Sequence, residues 1–131
     1  MKRRVLVIED NDQNLYLVTV LLEKHGLEVI AARDGRSGIE MAAATRPDLI
    51  LLDIHLPLID GYAVARAIRA KPELALLPII AVTSYAMVGD RERCLEAGCT
   101  DYIEKPIDVD TFISQIARHL PPGAARLVND A

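Results

Sequence analysis

Five residues stand where a short apolar run gives way to polar sequence, and they are of few chemical kinds. Glu9 and Asp10 follow "RVLVI", Asp53 follows "LILL", Thr83 follows "IIAV", and Lys105 with Pro106 follows "DYIE". Three carboxylates brought to one place repel, and each raises the others' pKa unless a cation intervenes. Mg²⁺ is the economical cation, because it takes hard oxygen ligands in an octahedron, often one or two carboxylates with waters and a phosphate. Glu9, Asp10 and Asp53 offer such a partial shell. Zinc fits poorly, with no histidine cluster or thiolate pair to bind it. Lys105 adds a point charge and Thr83 a hydroxyl donor, both suited to phosphate oxygens. An aspartate beside Mg²⁺ and a lysine can attack phosphorus and become an acyl phosphate. Phosphoryl transfer is mainly positioning and charge neutralisation, so this small set suffices in principle. Asp53 is therefore expected to accept phosphate. The plainer alternative makes Glu9, Asp10 and Asp53 helix caps and Lys105 a surface charge.

Convergence of these residues requires a fold that places strand ends together. Strand-length apolar runs occur from Val5 to Ile8, Leu27 to Ala31, Leu49 to Leu52, Ile79 to Val82 and Tyr102 to Ile103. The first, third and fourth are unbroken rather than alternating, which is how strands covered on both faces read. Helical periods lie between them, as in Leu15, Val18, Leu21 and Leu22, then Val64, Ala67 and Ile68, then Phe112, Ile113, Ile116 and Leu120. Five helices are expected, with Asn11 or Asp12, Asp34, Asp60 and Asp108 as N-caps and Gly26 and Gly98 as C-terminal stops. Strict alternation of strand and helix predicts an α/β fold, a flavodoxin-like, doubly wound, five-stranded parallel sheet of order 2-1-3-4-5. Ligands of such sheets bind outside the carboxyl ends of the strands, where the five residues stand.

Composition bounds the rest. The 131 residues, about half of them apolar, fit one domain over 1–120, with 121–131 ("PPGAARLVNDA") a flexible C-terminal tail and no effector domain. The net charge of -4 is spread without a basic block, which disfavours nucleic-acid binding. The apolar run after "MKRR" is too short for a signal peptide, and no segment approaches a membrane span. Cys94 and Cys99 lack CxxC spacing and read as buried thiols. A reduced, cytoplasmic protein is expected.

The motifs "VLVIEDN", "DLILLDIHLPLIDG", "IIAVTSYA" and "DYIEKPI" together resemble the receiver domain of two-component response regulators, over about residues 4 to 120. The nearest likeness is to single-domain DivK-type receivers and receivers of hybrid kinases, on "EDNDQN" and on "SYAMVGD" followed by "AGC". The resemblance implies that Asp53 is the phosphoacceptor and that Glu9 and Asp10 hold Mg²⁺ directly or through water. It implies that the His55 carbonyl completes the metal shell, that Thr83 is the switch hydroxyl, and that Lys105 contacts the phosphoryl group. It also implies a cis Lys105-Pro106 peptide and a Tyr102 ring that turns inward when Thr83 shifts. The donor is then a phosphohistidine on a histidine kinase or phosphotransfer protein. The chain would catalyse only its own phosphorylation and dephosphorylation, as a phosphorelay signalling protein rather than an enzyme.

Some positions depart from the family's commonest pattern. Glu9 stands where aspartate is frequent and Ser84 where alanine is common. His55 and Tyr85 occupy positions that the family uses to tune acyl-phosphate lifetime, and their bulk is expected to hinder an attacking water. Output is expected through the fourth helix, fifth strand and fifth helix to a downstream partner protein, from a monomer or weak dimer. Gly89 weakens the start of the fourth helix, and Tyr16, Thr19 and Glu23 offer partner contacts on the first.

Other classes fit less well. A haloacid-dehalogenase-type hydrolase wants a second aspartate where His55 stands, and a cobalamin module with D-x-H-x-x-G wants glycine where Leu58 stands. An unphosphorylated pseudo-receiver scaffold, or a receiver excised from a hybrid histidine kinase, remains the alternative.

Overall fold

In a computed structural model of the protein, residues 2–84 and 89–120 are described. The elements run β1 (Arg4–Ile8), α1 (Asp12–Lys24), β2 (Glu28–Ala32), α2 (Gly35–Thr45), β3 (Leu49–Asp53), α3 (Gly61–Arg69), β4 (Ile79–Thr83), α4 (Asp90–Glu96), β5 (Asp101–Glu104) and α5 (Phe112–Ala117). A single 3₁₀ turn, Pro72–Leu74, precedes β4. The five strands are parallel in the order β2-β1-β3-β4-β5. The expected fold class and strand order are both found.

The unbroken apolar runs divide by residue parity. Along β3, Ile50 and Leu52 join Leu6, Ile8, Ile79 and Ala81 beneath α2, α3 and α4, where Ala42, Val64, Ile68 and Cys94 cover them. Leu49 and Leu51 join Val5, Val7, Ile80 and Val82 on the other face, under Val18 and Leu22 of α1 and Phe112, Ile113 and Ile116 of α5. Side chains alternate across a strand, so a sheet packed on both faces needs an apolar residue at every position. Each fully buried Leu or Ile is worth about 1.5–3 kcal/mol. All five residues of β3 are buried, Asp53 included.

Local signals account for most helix ends. Asn11, Asp34 and Asp60 each accept a hydrogen bond from the backbone N–H three residues on, while Asp12 is turned to an ion pair with Arg33. Gly26 and Gly98 both have positive φ and close α1 and α4 in the same way. Gly26 N–H donates to Glu23 and Leu27 N–H to Leu22, as Gly98 N–H donates to Leu95 and Cys99 N–H to Cys94. The apolar pair that accompanies this closure is Leu22 with Leu27 in one helix and Cys94 with Cys99 in the other. Both cysteines are free and buried.

Four expectations need adjustment. β2 starts at Glu28, because Leu27 belongs to the closing turn of α1. Asp108 does not cap α5: the N-cap position is Thr111, whose side chain makes no capping bond, and the Asp108 carboxylate accepts from Asp110 N–H in the preceding turn. Helix α5 ends at Ala117, although Leu120 remains buried in the turn that follows. Gly89 is the N-cap of α4, at φ 92°, and so lies outside that helix. Tyr85 and the tail expected over 121–131 lie outside the described residues.

Candidate functional site

Strand register carries the site residues to one edge. Ile8 pairs with Leu52, Asp53 with Val82 and Thr83 with Glu104, so the residues ending β1, β3, β4 and β5 stand side by side. Among the described residues, the only buried polar or charged ones are Glu9, Asp53 and Thr83. Burial of such groups is costly unless they are paired or bonded, which marks this edge as built for something other than stability.

Carboxylate oxygens of Glu9, Asp10 and Asp53 lie within 4.8 Å of one another, with Asp10 the exposed member. Lys105 Nζ reaches in to 3.0 Å from Glu9 Oε1 and 3.6 Å from Asp53 Oδ2. The second Glu9 oxygen accepts from Asn11 N–H at 3.3 Å, where α1 begins. Burial pushes the Glu9 carboxyl up to about 7, and its hydrogen bond with Asp53 pushes the same way, while Lys105 pulls it down. The one ammonium, Lys105, faces three carboxylates, so the cluster is left acidic. Three hard oxygens at this spacing suit Mg²⁺, and among the described residues neither histidine nor thiolate joins the set.

The β3–α3 loop fixes Asp53. Its Oδ1 accepts from His55 N–H at 2.9 Å, leaving Oδ2 on the lysine side. Ile54 donates its N–H to the Val82 carbonyl, and the Ile54 carbonyl accepts from Gly61 N–H, which folds the loop back over β3. Gly61 sits so close that a Cβ there would lie 2.5 Å from Ile54 Cα and 2.8 Å from the Asp53 carbonyl oxygen. Only glycine fits. At the loop tip Leu58 is fully exposed with φ 70°, a left-handed conformation rare for leucine.

Thr83, 2 % exposed, has its Oγ1 2.9 Å from His55 Nε2, and its carbonyl accepts from Lys105 N–H at 2.7 Å. The Lys105-Pro106 peptide is cis. Tyr102 is half-buried, with its hydroxyl 3.4 Å from Glu104 Oε1, and it lines a surface cleft with Arg91, Pro106 and Gln115. Tyr16 and Glu23 are exposed on α1, and Thr19 is half-buried.

Residues 5–117 match the model of the response regulator receiver domain. This chain belongs to that family. The receiver is 43% identical over 120 residues to the polar-differentiation response regulator DivK of Brucella anthropi, covering 92% of this chain and 98% of the relative. The DivK of Brucella ovis is 42% identical over the same share. Among solved structures, it resembles the receiver domain of sensor histidine kinase PA1611 from Pseudomonas aeruginosa PAO1, which has a magnesium ion coordinated in its active site cleft. That likeness has a TM-score of 0.83 and 37% identity, over 90% of this chain and 97% of the other. The chemotaxis protein CheY4 of Vibrio cholerae gives a TM-score of 0.87 at 26% identity, over 92% and 100%.

Sequence reasoning brought together the acids, Thr83 and Lys105 of this receiver. It missed the His55 ring contact with Thr83, which spans 28 residues and has no local signal. It also missed the close approach of Gly61, although the "DG" opening α3 is visible in the chain. Among the described residues no helix is long and apolar enough to cross a membrane.

Proposed function

We propose that this receiver accepts a phosphoryl group on Asp53 from the phosphohistidine of a histidine kinase or phosphotransfer protein, and so acts as a switch in a phosphorelay. The observation that carries the reading is Asp53 itself, a buried carboxylate ending β3 between the His55 N–H and the Lys105 ammonium. An Asp53 oxygen bonds to phosphorus as the P–N bond breaks, and the electron pair leaves with the donor imidazole, which then takes a proton. Glu9, Asp10, Asp53 and the His55 carbonyl would hold Mg²⁺, which when bound supplies positive charge to the phosphoryl oxygens. Lys105 adds a second positive charge from the β5 side, and the Thr83 hydroxyl donates to a phosphoryl oxygen. Dephosphorylation is a separate hydrolysis: water attacks phosphorus, the acyl-phosphate bond between phosphorus and the Asp53 oxygen breaks, and inorganic phosphate leaves the regenerated carboxylate.

The switch is read at α4, β5 and α5, where Tyr102 lines the cleft, by a downstream partner protein. Its use as a stand-alone, DivK-like regulator is supported by the DivK relatives, 98% of whose own length is matched. A receiver domain over residues 1–120 acting in the cytoplasm is part of the same proposal. The likeness to a receiver of a sensor kinase supports the second reading, a receiver within a hybrid kinase. A phosphorylated histidine phosphotransfer domain, mixed with this chain and Mg²⁺, tests the function. Label should leave the donor and appear on wild type but not on Asp53→Asn. Retention by every such donor tried, with the receiver folded, counts against it.

A further inference from the structure

His55 touches both halves of the site. Its backbone N–H is bonded to Asp53 Oδ1 at 2.9 Å, and its ring Nε2 lies 2.9 Å from Thr83 Oγ1. Thr83 is a β-branched residue whose hydroxyl moves only by χ1 rotation between staggered wells. It is also almost fully buried, so its hydroxyl depends on protein partners rather than on bulk water. A hydroxyl has one proton and two lone pairs, and either ring tautomer can make the contact, with Nε2–H donating or Nε2 accepting.

We infer that His55 is a positioning residue for Thr83. Its imidazole holds the Thr83 hydroxyl in the rotamer of the unphosphorylated protein, and a phosphoryl group on Asp53 must draw the hydroxyl from that hold. The side chain at 55 thereby sets how strongly phosphorylation biases Thr83, and steric shielding from water is a separate effect. The phosphorylated half of this statement rests on the proposed function, whereas the unphosphorylated half does not.

Three-bond couplings of the Thr83 methyl carbon to its backbone nitrogen and carbonyl carbon report χ1 directly. They are measured first without any phosphodonor in wild type, His55→Gln and His55→Leu, each with a folded amide spectrum. Gln places an amide nitrogen near the position of Nε2 and can restore the bond, whereas Leu offers bulk without polarity. Wild type and His55→Gln should show one dominant rotamer. His55→Leu should raise the minor rotamer roughly two- to tenfold, the range one neutral hydrogen bond supports. A wild-type distribution in His55→Leu overturns the inference, as does an equal loss in Gln and Leu. Acetyl phosphate with Mg²⁺ is then added, and occupancy is read by intact mass. Phosphorylated wild type should move to a second rotamer, and unchanged couplings at full occupancy would overturn the release step. A wild-type protein that takes no phosphoryl group counts against the proposed function, while the rotamers measured beforehand still decide the His55 contact.

Discussion

Lys105 Nζ lies nearer to Glu9, at 3.0 Å, than to Asp53, at 3.6 Å. The lysine that the family resemblance assigns to the phosphoryl group is thus shared between two acids, and its closer partner is the one on β1. Both acids are about 6 % exposed at the side chain, so this sharing takes place with little water to screen it.

Removing that ammonium should have a metal-dependent cost. Lys105→Gln leaves Glu9 and Asp53 facing each other with one cation fewer. Urea unfolding in chelator should show a loss of about 2 kcal/mol, the scale of a hydrogen bond to a charged group. Mg²⁺ should restore much of it, because a cation that binds only the folded state stabilises by mass action. Equal losses with and without Mg²⁺ would mean that the two cations do not serve the same acids.

Gly61 holds the loop that aims Asp53. Gly61→Ala puts a methyl 2.5 Å from Ile54 Cα, against backbone that cannot yield cheaply. The expected loss is about 1–3 kcal/mol, as for overpacking generally, with Mg²⁺ affinity lowered as well because Asp53 shifts. Denaturation and metal titration of one preparation check both. Unchanged metal affinity would detach the loop from the site.

Legibility followed burial. Strands β1, β3 and β4 were readable because residues of both parities must be apolar when helices cover both faces, and their acidic, hydroxyl and basic terminators were then conspicuous. Helix ends were readable at Asn11, Asp34 and Asp60, where the side chain itself makes the cap. Asp108 misled because the same residue type also closes a turn one step earlier. The His55–Thr83 contact and the division of Lys105 between two acids are products of tertiary approach, and nothing near them in sequence encodes either.

Acid stability should depend on Asp101, at the far end of β5. Its carboxylate accepts from Tyr102 N–H, from His119 Nε2 at 2.8 Å and from Arg118 Nη2 at 3.2 Å. Burial pushes its pKa up, but the His119 bond, the Tyr102 N–H and the nearby positive charges outweigh it, and the net direction is below the ordinary 3.8. A carboxylate depressed in the folded state binds its proton first in the unfolded chain. Its stabilisation is present above that ordinary value and is lost as pH falls through the folded one. Asp101→Asn should therefore cost about 1 kcal/mol near neutrality and progressively less in acid. A gap between the two proteins that stays constant with pH would contradict this.

The cysteines should behave as packing residues. Burial pushes the Cys99 thiol up to about 12 and raises Cys94 as well, so neither supplies much thiolate. A thiol-specific disulfide reagent should react slowly with the native protein and with both groups at once in urea. Cys99→Ser places a hydroxyl in the apolar contact that closes α4, at a cost of about 1–3 kcal/mol. Fast labelling of the native state would oppose this assignment.

The central claim is that Asp53 accepts phosphate, and intact mass after incubation with acetyl phosphate addresses it most directly, with and without Mg²⁺, for wild type and Asp53→Asn. The expected result is a single phosphoryl adduct on wild type, dependent on Mg²⁺, removed by hydroxylamine and absent from a folded Asp53→Asn. An equal adduct on Asp53→Asn would contradict the claim, and so would a folded wild type that takes no phosphoryl group from acetyl phosphate or from a phosphohistidine donor.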